Sequence, residues 1–336
     1  MADPGQRRYL VTGARGFIGA GLCRALQARG QLVRAVSRHP GLGHWDESIH
    51  CDLGAESLPT ELMDDVDGVF HLAGIAHVQD IAGVPDAVYQ RVNVDATSAL
   101  LDAAAQRGVT GFVYFSSIKA AADPGPHCVD ESWNEPPSDA YGRSKREAEQ
   151  RVLAVGQATG MHVCNLRPCL VYGPGVKGNL ARMIDAIERG TFPPLPEFNN
   201  QRSMVGLNDL IEAAWLAMNN REANGRTYIV SDGKPYSTRA LFVAISRALG
   251  KPVPGWSIPS CVLRAGAAAG DLAARITDRP MPFSSAVLDR LRGSACYRSE
   301  QLTRQLGWHP RQTFADALPL IIAARQSPHT SSVSAH

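Results

Sequence analysis

The sequence predicts an α/β fold, a doubly wound parallel sheet followed by a smaller mixed α/β C-terminal region. Over residues 9–165, short apolar runs alternate with amphipathic helical segments. Such alternation implies parallel strands joined by right-handed helical crossovers. A glycine-rich turn also separates the first apolar run from the first helical segment. Both observations are typical of sheets that carry helices on each face.

The predicted elements follow one another in that alternating order. The expected strands of the first half are RYLVTG, LVRAVSR, SIHCDL, GVFHLAG, GFVYFSS and HVCNLRP. The helical segments between them include GAGLCRALQARG, NVDATSALLDAAAQRG and YGRSKREAEQRVLAVGQATG. After Pro168, loop-rich stretches precede the helix LNDLIEAAWLAMNN, the strand RTYIVSD and the helix TRALFVAISRALG, and the remainder is mostly helical.

This change in the pattern of predicted elements after Pro168 indicates two domains. We expect residues 1–168 to form the sheet domain, with residues 203–232 returning to it. We expect residues 169–202 and 233–326 to form the second domain. The polar tail at 327–336 is predicted to be disordered.

The charge distribution gives no sign of an electrostatic surface for nucleic acid or membrane, because the formal net charge is +2 and both signs are interspersed. No apolar run reaches the roughly 20 residues of a membrane-spanning helix. The least polar segment, SCVLRAGAAAGDLAARI, carries arginines and an aspartate, and we interpret it as a packed helix. The first residues lack an apolar signal core. We therefore expect a cytoplasmic protein that binds neither nucleic acid nor membrane.

The seven cysteines form no C-x-x-C pair. We expect them to be reduced thiols, most of them buried. The ten histidines show no metal-ligand spacing with one another or with the cysteines, so no metal site is predicted.

The junction YLVTGARGFIGAGLCRAL places Gly13, Gly16 and Gly19 at three-residue spacing, with Phe17 and Ile18 between the last two. In a dinucleotide-binding loop, one glycine makes the tight turn, another lets the backbone approach the pyrophosphate, and a third lets helix and strand pack closely. The helix N-terminus offers N–H groups and a positive dipole to the phosphates. The sequence therefore predicts dinucleotide binding here.

The end of the second strand indicates which dinucleotide is bound. NAD binders usually place an acidic residue there to bond the ribose 2′-hydroxyl, but this chain has Ser37 and Arg38. An arginine attracts a 2′-phosphate, and Arg15 could reach the same group, although Arg38 could also be a solvated loop residue. We favour NADP(H), with NAD(H) as the alternative. Asp52, after the third strand, is predicted either to accept from the adenine amine or to be a helix N-cap or turn residue.

Three side chains predict carbonyl chemistry. Ser116 and Ser117 end the strand GFVYFSS, and Tyr141 shares a helix face with Lys145. Carbonyl reduction builds negative charge on oxygen, and a phenol can donate the proton that neutralises it. A nearby ammonium is expected to lower the tyrosine pKa from about 10 towards the working pH. Ser117 offers a fixed donor to the same oxygen.

The chain resembles an extended short-chain dehydrogenase/reductase of the nucleotide-sugar epimerase/dehydratase family over residues 8–325. The matching motifs are TGARGFIG, HLAG (71–74), VN (92–93), FSS (115–117), YGRSK (141–145), LRPCLVYGPG (166–175) and LGWHP (306–310). The resemblance implies a Rossmann domain with a smaller domain over a UDP-sugar substrate. One departure is Gly74, where relatives commonly have alanine.

Carried over residue by residue, the resemblance implies the catalytic set Ser117, Tyr141 and Lys145, with Ser117 chosen over Ser116 by alignment. The full set of expected cofactor contacts is Gly13, Arg15, Gly16, Phe17, Ile18, Gly19, Ser37, Arg38, Asp52, Leu53, Leu72, Ala73, Gly74, Asn93, Tyr141, Lys145 and Pro168. The expected substrate contacts are Ser117, Ile118, Tyr141, Asn179, Arg202, Arg290 and Arg292, and the last two are alternatives for one role. The helices that bear Asn93 and Tyr141 resemble those of a four-helix dimer interface, so a homodimer is expected.

The reaction within the family is left open between two candidates. Dehydratases carry an acidic pair beside the catalytic Ser/Thr, whereas Ile118 and Lys119 stand there, which disfavours dehydration. Ser37 and Arg38 favour NADPH-dependent reduction of the C4 ketone of a UDP-linked 4-keto-6-deoxy-N-acetylhexosamine in bacterial surface polysaccharide biosynthesis. The alternative is an NAD-dependent UDP-hexose or UDP-N-acetylhexosamine 4-epimerase. A redox sensor and a reductase of a non-sugar ketone are weaker candidates.

Overall fold

A computed structural model describes residues 5–39, 41–75, 84–133, 135–277, 279, 281 and 283–326. The tail predicted to be disordered lies outside these residues. The strands are β1 (Arg8–Thr12), β2 (Leu32–Ser37), β3 (Glu47–His50), β4 (Gly68–His71), β5 (Gly111–Phe115), β6 (Cys128–Val129), β7 (His162–Pro168), β8 (Leu170–Tyr172), β9 (Arg202–Gly206), β10 (Arg226–Val230), β11 (Pro235–Tyr236) and β12 (Cys296–Tyr297).

The helices alternate with these strands in the first half and dominate the second. They are α1 (Phe17–Ala28), α2 (Asp86–Tyr89), α3 (Ala96–Gln106), α4 (Ala140–Thr159), α5 (Gly178–Glu188), α6 (Leu207–Asn219), α7 (Thr238–Ala248), α8 (Ser260–Thr277), α9 (Ser285–Arg292), α10 (Glu300–Leu306) and α11 (Phe314–Gln326). A π-helical turn, Gln90–Asp95, joins α2 to α3, and short 3₁₀ turns lie at Ile118–Ala121 and Arg221–Ala223.

The central sheet has seven strands in the order β10-β7-β5-β4-β1-β2-β3, and every neighbouring pair is parallel. The strand order reverses between β1 and β4, so the crevice beyond their carboxyl ends is the expected ligand site of a doubly wound sheet. The predicted fold class is confirmed. RTYIVSD supplies the edge strand β10, which pairs with β7 from far along the chain.

Helices cover both faces of the sheet because each presents an apolar stripe to it. On one face, α1 and α6 bury Leu22, Leu26 and Leu210 against the strands. On the other face, α3 and α4 bury residues such as Leu100 and Val152. Because the strands are parallel, their carboxyl ends meet at one edge of this packed sheet.

A three-stranded sheet, β11-β9-β8, and a two-stranded sheet, β12-β6, lie outside the central sheet. The pairing β8–β9 is parallel and β9–β11 is antiparallel. The helices α5, α7 and α11 share an apolar cluster with these strands, which includes Ile184, Phe242 and Ile321. The sequence did not predict these five strands. Four of them, β6, β8, β11 and β12, have only two or three residues, which is too short for an alternating pattern. The five-residue β9 was missed because it follows a loop-rich stretch. The domain boundaries themselves stay a prediction.

One expectation about the cysteines is wrong. Cys128 in β6 and Cys296 in β12 are directly paired across the two-stranded sheet and form a disulfide. They are 168 residues apart in sequence, and local patterns do not reveal such a long-range pairing. The remaining cysteines are free, and of these only Cys261 is exposed.

Two findings bear on other binding classes. In the described part of the chain, every helix falls short of the length and hydrophobicity that a transmembrane helix needs. Within the same residues, no group of three or more His, Cys, Asp and Glu side chains is arranged to hold a metal ion.

Candidate active site

The glycine loop between β1 and α1 has the backbone that a dinucleotide site needs. Gly13 has a φ of +67°, and a Cβ there would lie 3.0 Å from the backbone nitrogen of Ala73. A Cβ at Gly19 would lie 2.2 Å from the carbonyl oxygen of Gly13. Gly16 then precedes Phe17, the first residue of α1. Since side chains are excluded here, the backbone N–H groups at the start of α1 are open to phosphates, and the residues present fit a dinucleotide.

The turn after β4 is fixed to β1 by a buried chain of hydrogen bonds. The hydroxyl oxygen of Thr12 accepts from the backbone N–H groups of Leu72 and Ala73, both at 3.0 Å. Its own proton is donated to Nδ1 of His71 at 2.7 Å, and Nε2 of His71 donates to the hydroxyl of Thr97 at 2.9 Å. The Thr97 hydroxyl in turn donates to the carbonyl oxygen of Asn93 at 2.7 Å.

These directions require the neutral Nε2–H tautomer of His71. Burial lowers the pKa of His71 to about 3, and the charge of Lys145 acts in the same direction. His71 is therefore a neutral positioning group. Sequence reasoning missed Thr12 and Thr97, since an isolated threonine at a strand end or in a helix gives no signal of such a role.

Asn93 links the same turn to the helix that bears Tyr141. Its Oδ1 accepts from the N–H of Ile75 at 2.8 Å, and its Nδ2 donates to the Ser144 hydroxyl at 3.0 Å. A Cβ at Gly74 would lie 2.8 Å from Asn93 Oδ1. This close approach gives a physical reason for glycine at position 74.

The end of β2 is basic. Arg15 donates from Nη1 to the carbonyl oxygen of His39 at 3.1 Å, and the Ser37 hydroxyl donates to the same oxygen at 2.7 Å. Arg38 is exposed beside them, and its carbonyl oxygen is 2.9 Å from Nε2 of His50. The structure therefore brings Arg15, Ser37 and Arg38 together, with no carboxylate among residues 37–39.

Asp52 begins a turn, the second of its two predicted roles. Its carbonyl oxygen accepts from the N–H groups of Ala55 and Glu56, both at 3.0 Å. Its own N–H donates to the carboxylate of Glu56 at 3.0 Å. Leu53, which follows, is buried. A contact from Asp52 to the adenine amine stays a prediction.

The helix α4 presents Tyr141 and Lys145 one turn apart. Asp139 caps its N-terminus by accepting from the N–H of Gly142 at 2.6 Å. Ser117 caps the 3₁₀ turn Ile118–Ala121 by accepting from the N–H of Lys119 at 3.2 Å. Ser117 also hydrogen-bonds the Tyr141 phenol.

Ser116 has a different environment from its neighbour. Its hydroxyl is buried without a hydrogen-bond partner among the described residues. Geometry therefore favours Ser117 over Ser116 as the partner of the tyrosine, in agreement with the alignment.

Burial dominates the electrostatics of the pair on α4. It lowers the pKa of Lys145 to about 7, while the Glu149 carboxylate raises it. Nζ of Lys145 donates to the Phe115 carbonyl at 2.8 Å and lies 4.2 Å from the ring centroid of Tyr114. Burial also raises the pKa of Tyr141, against the Ser117 hydrogen bond, which lowers it. The expectation that Lys145 lowers the tyrosine pKa is therefore wrong for this structure, because desolvation outweighs the other effects.

A buried ion pair supports this helix, and the sequence did not predict it. Arg167 in β7 holds Glu149 through two contacts, Nε to Oε1 at 2.8 Å and Nη2 to Oε2 at 2.6 Å. Glu149 lies one turn beyond Lys145 on α4. The pair therefore fixes both the position of the helix and the negative charge behind the ammonium.

The expected substrate residues fall into separate groups. Arg202 in β9 is half-buried, and its Nη2 donates to the carbonyl oxygen of Arg290. Arg292 instead lies over the ring of Phe198, with its guanidinium carbon 5.7 Å from the centroid. Asn179 is exposed near the start of α5. Arg202 thus contacts the backbone of Arg290, while Nε of Arg290 donates to the carbonyl oxygen of Ala286 at 3.0 Å. Arg292 is turned towards the 192–200 loop.

Three predicted residues remain. Ile18 in α1 is half-buried and packs against the core of the sheet. Ile118 and Pro168 follow or end strands of the central sheet. Ile118 is half-buried and packs against a cluster that contains Ala121 and Cys169. Pro168 is buried at the carboxyl end of β7.

Comparison with known proteins tests the family and the fold of the chain. A model of the NAD dependent epimerase/dehydratase family matches residues 9–231. A UDP-glucose 4-epimerase of Vibrio cholerae is 30% identical over 323 residues, which cover 92% of this chain and 93% of the relative. A 4-hydroxy-2-methyl-3-oxo-4-farnesyl-3,4-dihydroquinoline-1-oxide ketoreductase of Stigmatella aurantiaca is 28% identical over 93% of this chain and 94% of the relative.

Among solved structures, MoeE5 in complex with UDP-glucose and NAD superposes with a TM-score of 0.75 at 24% identity, covering 95% of this chain and 98% of that one. This likeness shows the fold. The resemblance inferred from the motifs is confirmed, because the family model and the 30% identical relative both span most of the chain. The chain belongs to the NAD dependent epimerase/dehydratase family.

Proposed function

We propose that the protein is an NADPH-dependent reductase of the C4 ketone of a UDP-linked 4-keto-6-deoxy-N-acetylhexosamine, acting in bacterial surface polysaccharide biosynthesis. The choice of NADPH and of reduction rests on one observation, which is that the end of β2 is basic. Arg15 and Arg38 flank it, and no acidic side chain is present among residues 37–39.

The choice of NADPH follows from charge. A carboxylate at the end of β2 would bond a ribose 2′-hydroxyl and repel a 2′-phosphate. Arginine does the reverse, since its guanidinium makes charge-assisted hydrogen bonds to phosphate. An enzyme that uses NADPH as a consumed reductant exchanges it at each turnover, whereas an epimerase retains its nucleotide and recovers the hydride.

In this proposal the chain supplies the proton and the positioning. NADPH, when bound, supplies the hydride to C4. The Tyr141 phenol donates its proton to the developing C4 oxyanion, and the Ser117 hydroxyl donates a hydrogen bond to the same oxygen. The raised pKa of Tyr141 keeps the phenol protonated before the reaction. Lys145 in its protonated form would favour the phenolate left behind, and its anchorage to Phe115 sets its place.

The proposal of a UDP-sugar substrate rests on polar and cationic residues of the second half of the chain, Arg202 in β9, Arg290 in α9 and Asn179 in α5. The Arg202 guanidinium contacts the backbone carbonyl of Arg290, and Asn179 lies near the N-terminus of α5. A diphosphate uses such donors, whereas an apolar ketone does not need them. Ile118 and Lys119 follow Ser117 in place of an acidic pair, which argues against dehydration because no carboxylate stands there to move a sugar proton.

A second candidate function is UDP-hexose or UDP-N-acetylhexosamine 4-epimerisation with NAD. The similarity to the Vibrio cholerae UDP-glucose 4-epimerase favours it. The epimerase and the reductase share one half-reaction, hydride transfer to a 4-ketohexose with proton donation by tyrosine. The side chains Ser117, Tyr141 and Lys145 would serve both.

The proposed assembly is a cytoplasmic homodimer built through α3 and α4. These are the helices that follow Asn93 and carry Tyr141, and they pack against each other within the chain. Light scattering at micromolar concentration should give twice the mass of 36.1 kDa. A mass equal to one chain would contradict the dimer.

The deciding experiment compares the two reactions on one preparation. Purified protein is incubated with UDP-4-keto-6-deoxy-GlcNAc and NADPH, and the decrease of the reduced-nicotinamide absorbance is followed. In parallel, the protein is incubated with UDP-GlcNAc and NAD, and the formation of UDP-GalNAc is followed by chromatography. The proposal expects NADPH oxidation in the first reaction. Epimer formation without NADPH oxidation would replace it with the epimerase.

A further inference from the structure

The helix α8 is packed against the protein on one face only. Leu263 and Ala267 are buried, in a cluster that also contains Leu195 and Leu288. The sequence predicted this segment to be a packed helix, and that prediction is correct for the face that bears Leu263 and Ala267. The opposite face meets no described part of the chain, and its composition is unusual for a solvated surface.

That outer face is apolar. Val262, Leu272 and Ile276 are 56%, 58% and 75% exposed, and Trp256 just before the helix is 64% exposed. In the described residues these are four of seven large apolar side chains with such exposure. At about 100° per residue, Val262, Ala265, Ala269, Leu272 and Ile276 form one continuous stripe.

The charged residues of α8 lie to one side of this stripe. Arg264 and Arg275 are exposed and project from one border of it. Asp271, the acidic residue of the helix, is turned towards α9, where its Oδ1 accepts from the N–H of Ser285 at 3.2 Å. The outer face therefore combines large apolar side chains with cations at its border.

The surrounding segment is basic while the rest of the chain is not. Residues 249–292 contain six Lys and Arg and three Asp and Glu, a formal charge of +3. The whole chain has +2, so the other residues sum to −1. A convex apolar stripe bordered by arginines, within a locally cationic segment, is the arrangement of a helix that lies in the plane of an anionic lipid surface.

We propose that the outer face of α8 is a peripheral membrane-binding surface that inserts Trp256, Val262, Leu272 and Ile276 into the headgroup region of anionic lipid. Arg264 and Arg275 lie at the level of the phosphates, with their aliphatic stems along the apolar layer. This mode of attachment needs no transmembrane helix, but it departs from the expectation from the sequence that the protein does not bind a membrane. It is independent of which sugar the active site takes.

The test uses the full-length protein and sedimentation with vesicles. One set contains equal parts of phosphatidylcholine and phosphatidylglycerol, and the other contains phosphatidylcholine alone. The wild type should bind the anionic vesicles and bind the neutral ones more weakly, with binding reduced by salt. The double substitution Leu272→Glu with Ile276→Glu should lower the partition coefficient by at least about tenfold, because it removes two inserted side chains and adds two charges.

The matched control is Leu320→Glu, at a leucine of α11 that is 57% exposed. It should leave vesicle binding unchanged. Both proteins should keep the wild-type circular dichroism spectrum and NADPH affinity, which shows that any loss of binding does not arise from unfolding. A second measurement uses Cys261, an exposed thiol on α8, while the other free thiols are buried. An environment-sensitive fluorophore on Cys261 should shift to the blue with anionic vesicles.

Two outcomes overturn the proposal. The first is a wild type that does not bind anionic vesicles, or that binds them as well after the double substitution. The second is a concentration-dependent increase of mass in light scattering without lipid that the double substitution abolishes. That result would make the outer face of α8 an interface between copies of the chain.

Discussion

Nζ of Lys145 donates a hydrogen bond to the carbonyl oxygen of Phe115 at 2.8 Å. This contact anchors the Lys145 side chain of α4 to the last residue of β5. The contact holds a cation at the carboxyl edge of the sheet, beside the aromatic ring of Tyr114. The same location removes the amine from water. The candidate active site therefore holds this amine where burial disfavours its charged form.

This burial predicts a dependence of stability on pH. Burial lowers the pKa of Lys145 from 10.5 to about 7, so between these values the unfolded chain binds the proton that the folded protein releases. The free energy of unfolding due to Lys145 should therefore rise with pH from about 7 to about 10 and be lowest below 7. The free energy of unfolding, measured with urea, should increase for the wild type relative to Lys145→Met as the pH is raised through this window.

The exposed Lys177 provides the control for this measurement. Lys177→Met should give a stability difference that does not vary over the same pH window. If the Lys145→Met difference is equally flat, the amine is not desolvated in the folded protein.

Ser117 and Ser116 offer a matched pair for the catalytic assignment. Ser117 hydrogen-bonds Tyr141, whereas the Ser116 hydroxyl has no hydrogen-bond partner among the described residues. Ser117→Ala should lower kcat by about 10²-fold, the effect expected of one lost oxyanion donor. Ser116→Ala should retain most of the activity. Steady-state kinetics on both variants decide the matter, and equal losses would contradict the assignment.

Arg38 should determine the cofactor. Arg38→Asp places a carboxylate near the ribose and should raise the KM for NADPH by at least about tenfold, while NADH is used equally well or better. Arg24→Asp alters the charge equally at an exposed position of α1 and should leave the ratio of the two kcat/KM values near that of the wild type. An unchanged ratio in Arg38→Asp would mean that its guanidinium does not contact the cofactor.

The sequence predicted the central sheet because its first half alternates short apolar runs with amphipathic helical segments. The glycine loop and the positions of Tyr141 and Lys145 followed from chain-local spacing. The Glu149–Arg167 pair and the hydrogen bonds of His71 could not be predicted, because they join residues from separate strands and helices. The raised pKa of Tyr141 was missed for the same reason, since burial depends on the packed fold.

Gly74 should not tolerate a methyl group. An alanine Cβ would lie 2.8 Å from Oδ1 of Asn93, and Asn93 is itself held by Ile75 and Ser144. Gly74→Ala should therefore displace the turn beside the cofactor and weaken NADPH binding several-fold. The control is Gly108→Ala, where a Cβ meets no atom within 4 Å and φ is +68°. It should lose stability through backbone strain yet keep the wild-type affinity for NADPH, measured by fluorescence titration.

The Cys128–Cys296 disulfide should stabilise the oxidised protein. It closes a loop across a sequence separation of 168 residues, and cross-links of long loops restrict the unfolded chain by about 2–4 kcal/mol. Dithiothreitol should lower the midpoint of thermal unfolding by several degrees, and Cys128→Ser should show the lower midpoint without reductant. Cys261→Ser, at an exposed free thiol, should behave as the wild type does in both conditions.

Counting thiols tests the bond itself, independently of stability. Of the seven cysteines, five are free in the structure. Air-oxidised protein unfolded in guanidinium should therefore react with five equivalents of a thiol reagent, and protein reduced beforehand with seven. Seven equivalents without reduction would show that Cys128 and Cys296 face each other as free thiols. Because glutathione keeps most cytoplasmic thiols reduced, the count on protein trapped with acid during cell lysis then tells which form the cell contains.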